Sequence, residues 1–121
     1  MSTTTQLELF STRAETLGLL ATVMNDFRRK GEYLVPDYTF KAALALVLND
    51  NTRRLCEEIL EIEDLPEEIE CAATRASNLV FALADAVIDA DPEEPKRFKS
   101  LGRNAEFEVS DLADVLIRYS E

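Results

Sequence analysis

The sequence predicts an all-α fold, an antiparallel bundle of four to five helices around a central alanine-rich helix at about residues 66–89. The helix formers Ala, Leu and Glu dominate the 121 residues, which include only three glycines and no alternating run of strand length. Apolar side chains in the central stretch recur at alternating steps of four and three residues, the spacing of a helix packed along its length against other helices. They are Ile69, Ala73, Ala76, Val80, Leu83 and Val87.

The chain, residues 1–121, is predicted to form a single helical domain that is long enough to bury one core. Its beginning, residues 1–10, is expected to be a loose N-terminal arm. Thr12 and Glu15 have the spacing of a capping box, so a first helix is expected from there to about Lys30.

A second helix is predicted from a cap at Asp37 to about Leu48, followed by a turn at residues 49–51 and a third helix to about Asp64. The interior of the second helix, residues 42–48, is apolar on all sides. Because a chain of this size has few fully enclosed positions, this interior predicts a homodimer.

The central helix is bounded by a cap at Asp64 and by a stop at residues 91–92, an Asp-Pro pair that disfavours helix. The least regular stretch follows, and residues 90–109 are predicted to be an irregular connector that contains one short helical turn, from Pro95 to Leu101 and ended by Gly102. A final helix is expected from a cap at Ser110 to about Tyr119.

The net charge of −11, from 24 acidic and 13 basic residues, argues against direct binding to nucleic acid, whose phosphates would be repelled. A helix-turn-helix interpretation of the second and third helices fails for the same reason, because the recognition helix would present glutamates. No apolar run of 18 residues is present, so no membrane span is predicted. The N-terminus lacks the pattern of a secretory signal, which makes the cytoplasm the expected location.

The residue types that most often carry catalysis are scarce. Because the chain has no histidine, Ser-His-Asp and Cys-His catalysis and histidine-containing di-iron sites are excluded. Cys56 and Cys71 form no C-x-x-C pair and are expected to be reduced thiols near the edge of the core, with a disulfide as the alternative. No catalytic residue and no cofactor is predicted.

The strongest local feature is an acidic stretch, residues 57–70, with eight acids and no base. Such a density of like charge costs stability unless something cationic binds there. The candidate partner-binding residues are Glu57, Glu58, Glu61, Glu67, Glu68 and Glu70, with a second, basic group at Lys96, Arg97 and Lys99.

The carboxylates also allow a metal site as the alternative. Glu67 and Glu70 lie one helical turn apart, and Asp111 and Asp114 repeat that spacing on the last helix, so together they could hold Mg²⁺. This combination resembles the all-α nucleotide pyrophosphohydrolases, whose Glu-x-x-Glu and later Glu-x-x-Asp helices bind magnesium. The resemblance covers only the stretch around Asp111-Leu-Ala-Asp-Val-Leu, and here the second motif begins with aspartate.

The sequence therefore favours a non-enzymatic function. The expectation is a small acidic interaction module, an adaptor or an inhibitor of a protein with a basic surface, nucleic-acid-binding proteins included, since an acidic helical protein can imitate the charge spacing of a nucleic acid. The alternative is a Mg²⁺-dependent nucleotide hydrolase that uses the paired carboxylates.

Overall fold

The computed structural model of the protein describes residues 2–26, 38–88 and 95–121, without the side chains at 26, 38–40 and 95–98. Within these ranges the structure has no strand and four helices, which confirms the all-α bundle. The helices are α1 (Thr3–Asp26), α2 (Tyr38–Leu60), α3 (Glu67–Ile88) and α4 (Pro95–Ser120).

The four helices form a closed ring in which each packs against two neighbours, in the order α1, α2, α3, α4 and back to α1. Neighbours run antiparallel. Along α1, Ser11 bonds the carbonyl of Ala113 and Asn25 bonds that of Gly102, so the numbering of α4 falls as that of α1 rises. The molecule is therefore an up-down-up-down four-helix bundle.

The predicted loose arm at residues 1–10 is wrong, because α1 already begins at Thr3. Ser2 caps the helix, since its Oγ accepts a hydrogen bond of 3.2 Å from the backbone N–H of Thr5. The Thr12 hydroxyl, which the sequence assigned to a cap, instead donates to the carbonyl of Glu8 at 3.1 Å, a bond within a continuous helix.

The predicted turn at residues 49–51 is also wrong, and the second and third predicted helices are one continuous α2. Asn51 stays helical because its side-chain amide donates to the carbonyl of Val47 at 2.8 Å. Thr52, one residue on, is fully buried. Tertiary burial has overridden the local preference of an Asn-Asp-Asn run for a turn.

The apolar interior of α2 at residues 42–48 is only partly enclosed. Ala45 and Leu48 are fully buried within the chain, whereas Leu46 and Val47 are 41% and 48% exposed. The bundle therefore covers one side of this segment and leaves the other open, and the homodimer stays a prediction.

The alanine-rich helix α3 matches its predicted bounds to within one residue at its start. All six apolar residues of the predicted repeat are buried, together with Ala72 and Ala84. Since α3 packs against α2 and α4, it forms one side of the ring rather than a rod at its centre. By length and composition alone α3 could also cross a membrane, but its apolar side is packed in the core, as in any bundle helix.

The connection from α2 to α3 is short and tightly turned. The N–H groups of Glu61 and Ile62 donate to carbonyls three residues earlier, which narrows the end of α2. Asp64 then adopts a left-handed conformation with φ of 54°. Pro66, rather than Asp64, stands at the N-cap of α3, and its carbonyl accepts from the N–H groups of Ile69 and Glu70.

The predicted irregular connector at residues 90–109 is wrong from Pro95 onward, because α4 is continuous from there to Ser120; residues 90–94 lie outside the described ranges. Gly102 was expected to end a short turn. It is instead a buried position where α4 approaches α1, and a Cβ there would clash with Oδ1 of Asn25. Glycine at 102 therefore leaves room for the Asn25 side chain against α4, despite its low helix propensity.

Candidate functional site

The six predicted glutamates of the acidic stretch are all exposed and lie at one end of the bundle. We call residues 57–70 the acidic end. They comprise the last turn of α2, the connection and the first turn of α3. The N-terminus of α1 and the C-terminus of α4 lie at the same end, since Arg13 and Arg118 both pair with glutamates of this region.

Glu58 takes part in a contact that holds α1 to α2. Its Oε2 lies 2.6 Å from Nη2 of Arg13, and the Arg13 guanidinium stands over the ring of Phe10 at 5.7 Å from the centroid. The hydrogen bond from Arg13 holds the pKa of Glu58 below its usual value, although burial acts in the opposite direction. This glutamate is therefore already engaged by a cation of its own chain.

Glu68 takes the corresponding role between α3 and α4. One of its carboxylate oxygens accepts from Arg118 at 2.8 Å and the other from the hydroxyl of Tyr119 at 2.9 Å. The hydrogen bond to Glu68 raises the pKa of Tyr119, because ionisation of the phenol would remove the donor. Glu58 and Glu68 thus have structural partners that lie 45 and 50 positions away in the sequence.

The other four candidate glutamates, Glu57, Glu61, Glu67 and Glu70, form no ion pair within the described part of the chain. Glu67 and Glu70 lie in the first turn of α3, where the helix dipole stabilises negative charge. Glu57 and Glu61 lie at the C-terminal end of α2, where the helix dipole disfavours negative charge. The last turn of α2 contains no basic residue. Within the described residues, neither carboxylate therefore has a stabilising ion pair or a favourable interaction with the dipole of α2.

A groove of about 430 Å³ opens at this end between α1 and α2. Its lining is mostly polar and includes Glu58 and Glu61, and half-buried Phe10 and Ile62 contribute apolar surface. Thr3, Gln6 and Glu63 complete the lining. Carboxylates with apolar side chains beside them suit a long cationic side chain, whose stem is apolar and whose head is charged.

The alternative metal site is not assembled. Asp111 is engaged by Arg75, whose Nη2 lies 3.3 Å from Oδ2 of Asp111 and whose Nε lies 3.2 Å from Glu108. Glu67, Glu70 and Asp114 are exposed. Among the residues that the structure describes, no three carboxylate or cysteine side chains are close enough together to hold a metal ion. The resemblance to the pyrophosphohydrolases therefore does not extend to the geometry of their magnesium site.

The basic candidate group lies far from the acidic end. Lys99 is exposed in the first turns of α4, and the side chains of Lys96 and Arg97 lie outside the described residues. Because α4 runs antiparallel to α3, its N-terminus stands at the end of the bundle opposite residues 57–70. The two predicted partner-binding groups are therefore separate surfaces.

Both cysteines are free thiols, as expected. Cys56 is buried against α3, and burial raises its pKa to about 11, with a backbone hydrogen bond at Ser77 acting in the opposite direction. Cys71 is exposed. Their burial differs because Cys56 faces the core of the bundle, whereas Cys71 lies on the outer side of α3.

Comparison of the chain with protein-family models gives no match, and comparisons with curated proteins and with solved structures give none either. The function is therefore inferred from the residues and the geometry of this bundle.

Proposed function

We propose that the protein is a small acidic interaction module that binds the basic surface of another protein and acts as an adaptor or an inhibitor. The acidic end is the proposed contact surface. Three observations support it: eight acids without a base along residues 57–70, the exposure of all six candidate glutamates, and the groove beside them, which is lined by both acidic and apolar side chains.

The observation that carries the proposal is the placement of Glu57 and Glu61. A carboxylate beside the C-terminus of a helix is repelled by the helix dipole, typically by about 0.3–1 kcal/mol. Residues that lower stability without a structural partner are typical of functional surfaces, where binding rather than folding determines the side chain. A basic partner would supply the cation that the bundle itself does not provide.

The test compares two doubly substituted chains in affinity purification from the native host. Glu57→Lys with Glu61→Lys reverses the proposed contact, and Glu8→Lys with Glu15→Lys makes the same change of charge on exposed positions of α1. Bound proteins are identified and quantified by mass spectrometry against the unsubstituted chain.

We expect the unsubstituted chain and the α1 variant to retain the same basic proteins, and the Glu57/Glu61 variant to lose them. Equal retention by both variants would remove the acidic end from the proposal. Enrichment of proteins without basic surfaces would also contradict it.

A further inference from the structure

An apolar stripe runs along the outside of the bundle where α2 meets α3. On α2, Leu46 and Leu60 are 41% and 46% exposed, and Arg53 lies midway between them. On α3, Phe81 and Ile88 are 52% and 72% exposed. Residues seven apart lie on the same side of a helix, so each helix contributes one straight row.

The two rows face the same groove. The Arg53 guanidinium stands 5.0 Å from the centroid of the Phe81 ring, which fixes the register of the antiparallel pair. In that register Leu46 lies level with Ile88, and Leu60 lies level with Thr74. We call these two rows the seam. They place four apolar side chains, those of Leu46, Leu60, Phe81 and Ile88, along one groove with Arg53 at its middle. Its length from Leu46 to Leu60 is about 21 Å at 1.5 Å per residue.

The charges around the seam identify its occupant. Of the exposed charged side chains between Leu46 and Ile88, Glu58 pairs with α1, and Glu68 and Arg75 pair with α4. The others are eight acids and two arginines. A second copy of the chain laid on this seam would bring the same excess of negative charge against it, and like charges in a contact surface oppose association. A basic helix would instead gain from both the apolar rows and the acids.

We infer that the α2/α3 seam binds an amphipathic helix of about four turns, with apolar residues at heptad positions and lysine or arginine on its flanks. Helix-in-groove recognition uses this combination of apolar anchors spaced along a groove and complementary charge. The inference rests on the proposed function, and it names the kind of segment by which a basic partner is held.

The probe is a fluorescein-labelled synthetic peptide of 18 residues, with leucine at the a and d heptad positions and lysine at most others. Two comparison peptides isolate the two contributions. One has the same composition with the leucines scattered around the helix, and the other has glutamate in place of lysine. Binding to the full chain is followed by fluorescence anisotropy at physiological ionic strength.

The protein variants are matched for size and exposure. Phe81→Ser with Ile88→Ser removes the seam, and Phe107→Ser with Leu19→Ser removes two side chains that are 68% and 67% exposed on α4 and α1. Because all four positions are exposed, both variants retain the core, and circular dichroism checks that they do.

We expect the patterned lysine peptide to bind the unsubstituted chain, and the seam variant to weaken that binding at least about tenfold, whereas the α1/α4 variant changes it less than about twofold. The scattered and glutamate peptides are expected to bind at least about tenfold more weakly. Equal loss in both variants, or equal binding of any comparison peptide, overturns the inference. Conversion of a dimer to a monomer by the seam substitutions alone, seen in sedimentation velocity, assigns the seam to a second copy and also overturns it.

This result and that of the affinity purification can be told apart. Host proteins that are lost with Glu57→Lys and Glu61→Lys, but retained by the seam variant, would leave the proposed function standing and refute the seam. Proteins retained by both variants would refute the acidic end as well.

Discussion

Asn25 of α1 is hydrogen-bonded to the backbone of Gly102 on α4, at a position where a Cβ on residue 102 would clash with the Asn25 side chain. Its side-chain amide donates to the Gly102 carbonyl at 2.8 Å and to Oε1 of Glu106 at 3.3 Å. Ser11 bonds Ala113 two heptads earlier on α1, and Gly18 lies between them. Ser11, Gly18 and Asn25, seven positions apart, thus lie on the side of α1 that contacts α4.

The effects of Asn25→Ala and Gly102→Ala on the free energy of unfolding should be strongly coupled. In a chain with Asn25→Ala, we expect Gly102→Ala to raise the free energy of unfolding by about 1 kcal/mol, the gain in helix propensity. In the unsubstituted chain the new methyl displaces the Asn25 amide and its hydrogen bonds, so the same change should give no gain or a loss, and the coupling should be about 1–2 kcal/mol. Urea denaturation of the four chains measures it. Additive effects of the two substitutions would show that the Asn25 amide can move aside without loss of stability, and would contradict the predicted coupling.

Thr52 offers a substitution that stabilises the fold. Its Oγ1 is fully buried and has no hydrogen-bond partner within the described residues. Because an unpaired buried hydroxyl is destabilising, Thr52→Val should raise the free energy of unfolding by about 1 kcal/mol while keeping the shape of the side chain. Thr16→Val is the matched control, since the exposed Thr16 hydroxyl already bonds the carbonyl of Thr12. A loss at Thr52 equal to that at a paired threonine would mean that its hydroxyl is satisfied.

The two thiols should differ in reactivity and in their effect on alkaline stability. In the native protein a thiol reagent is expected to modify Cys71 rapidly and Cys56 only on unfolding, because burial protects Cys56. The pKa of Cys56 is raised from 9.0 to about 11 in the folded chain, so its protonated form stabilises the fold at neutral pH. That contribution, roughly 2–3 kcal/mol by linkage, should be lost as the pH rises from about 9 to 11.

The control for this prediction is Cys56→Ala. Whatever its cost at neutral pH, this variant should lose less stability than the unsubstituted chain between pH 9 and 11. Tyr119 has a raised pKa and titrates in the same direction in both chains, so the difference between their slopes reports Cys56. Parallel slopes would contradict the assignment.

The left-handed backbone of Asp64, with φ of 54°, should determine which residues are tolerated there. Aspartate, asparagine and glycine enter this region readily, whereas a β-branched side chain is disfavoured by about 1–2 kcal/mol. We expect Asp64→Asn and Asp64→Gly to change the free energy of unfolding little, and Asp64→Val to lower it by about that amount. The same substitution at Glu63, its exposed neighbour, serves as the comparison in thermal denaturation.

The protein should be more stable with lysine than with glutamate at position 61. Lysine beside the carbonyl end of α2 interacts favourably with the helix dipole, so Glu61→Lys should raise the free energy of unfolding by roughly 0.3–1 kcal/mol at low ionic strength. The gain should shrink in high salt, where such interactions are screened. Glu15→Lys, in the interior of α1, makes the same change in net charge without a helix end nearby. Equal gains from both would attribute the effect to net charge alone.

The sequence predicted the parts of the fold that depend on a repeat within one helix. The buried side of α3 could be predicted because its apolar residues recur over about five turns, from Ile69 to Val87, without interruption. Thr12, Asn51 and Gly102 were misinterpreted as helix boundaries, because their local preferences are overridden by bonds to a carbonyl four residues earlier or by the approach of α1 to α4. Such overrides depend on partners that no local pattern reveals.

The candidate site was likewise only partly predictable from the sequence. That the glutamates of residues 57–70 are exposed followed from their density. That Glu58 and Glu68 belong to structural contacts did not, because Arg13 and Arg118 approach from opposite ends of the chain. Only the distinction between these bonded carboxylates and Glu57 and Glu61 makes the test of function specific.

The concentration of acids at one end of an elongated bundle also governs how the molecule moves toward a partner. Residues 57–70 contain eight acids and no base, and within the described part of the chain only Glu58 and Glu68 are paired with arginines, so an excess of negative charge remains at this end of the long axis. In the field of a positive surface such a body rotates before it touches, so that it arrives with this end leading. Its association rate should therefore fall steeply as ionic strength rises, even where the lifetime of the complex does not.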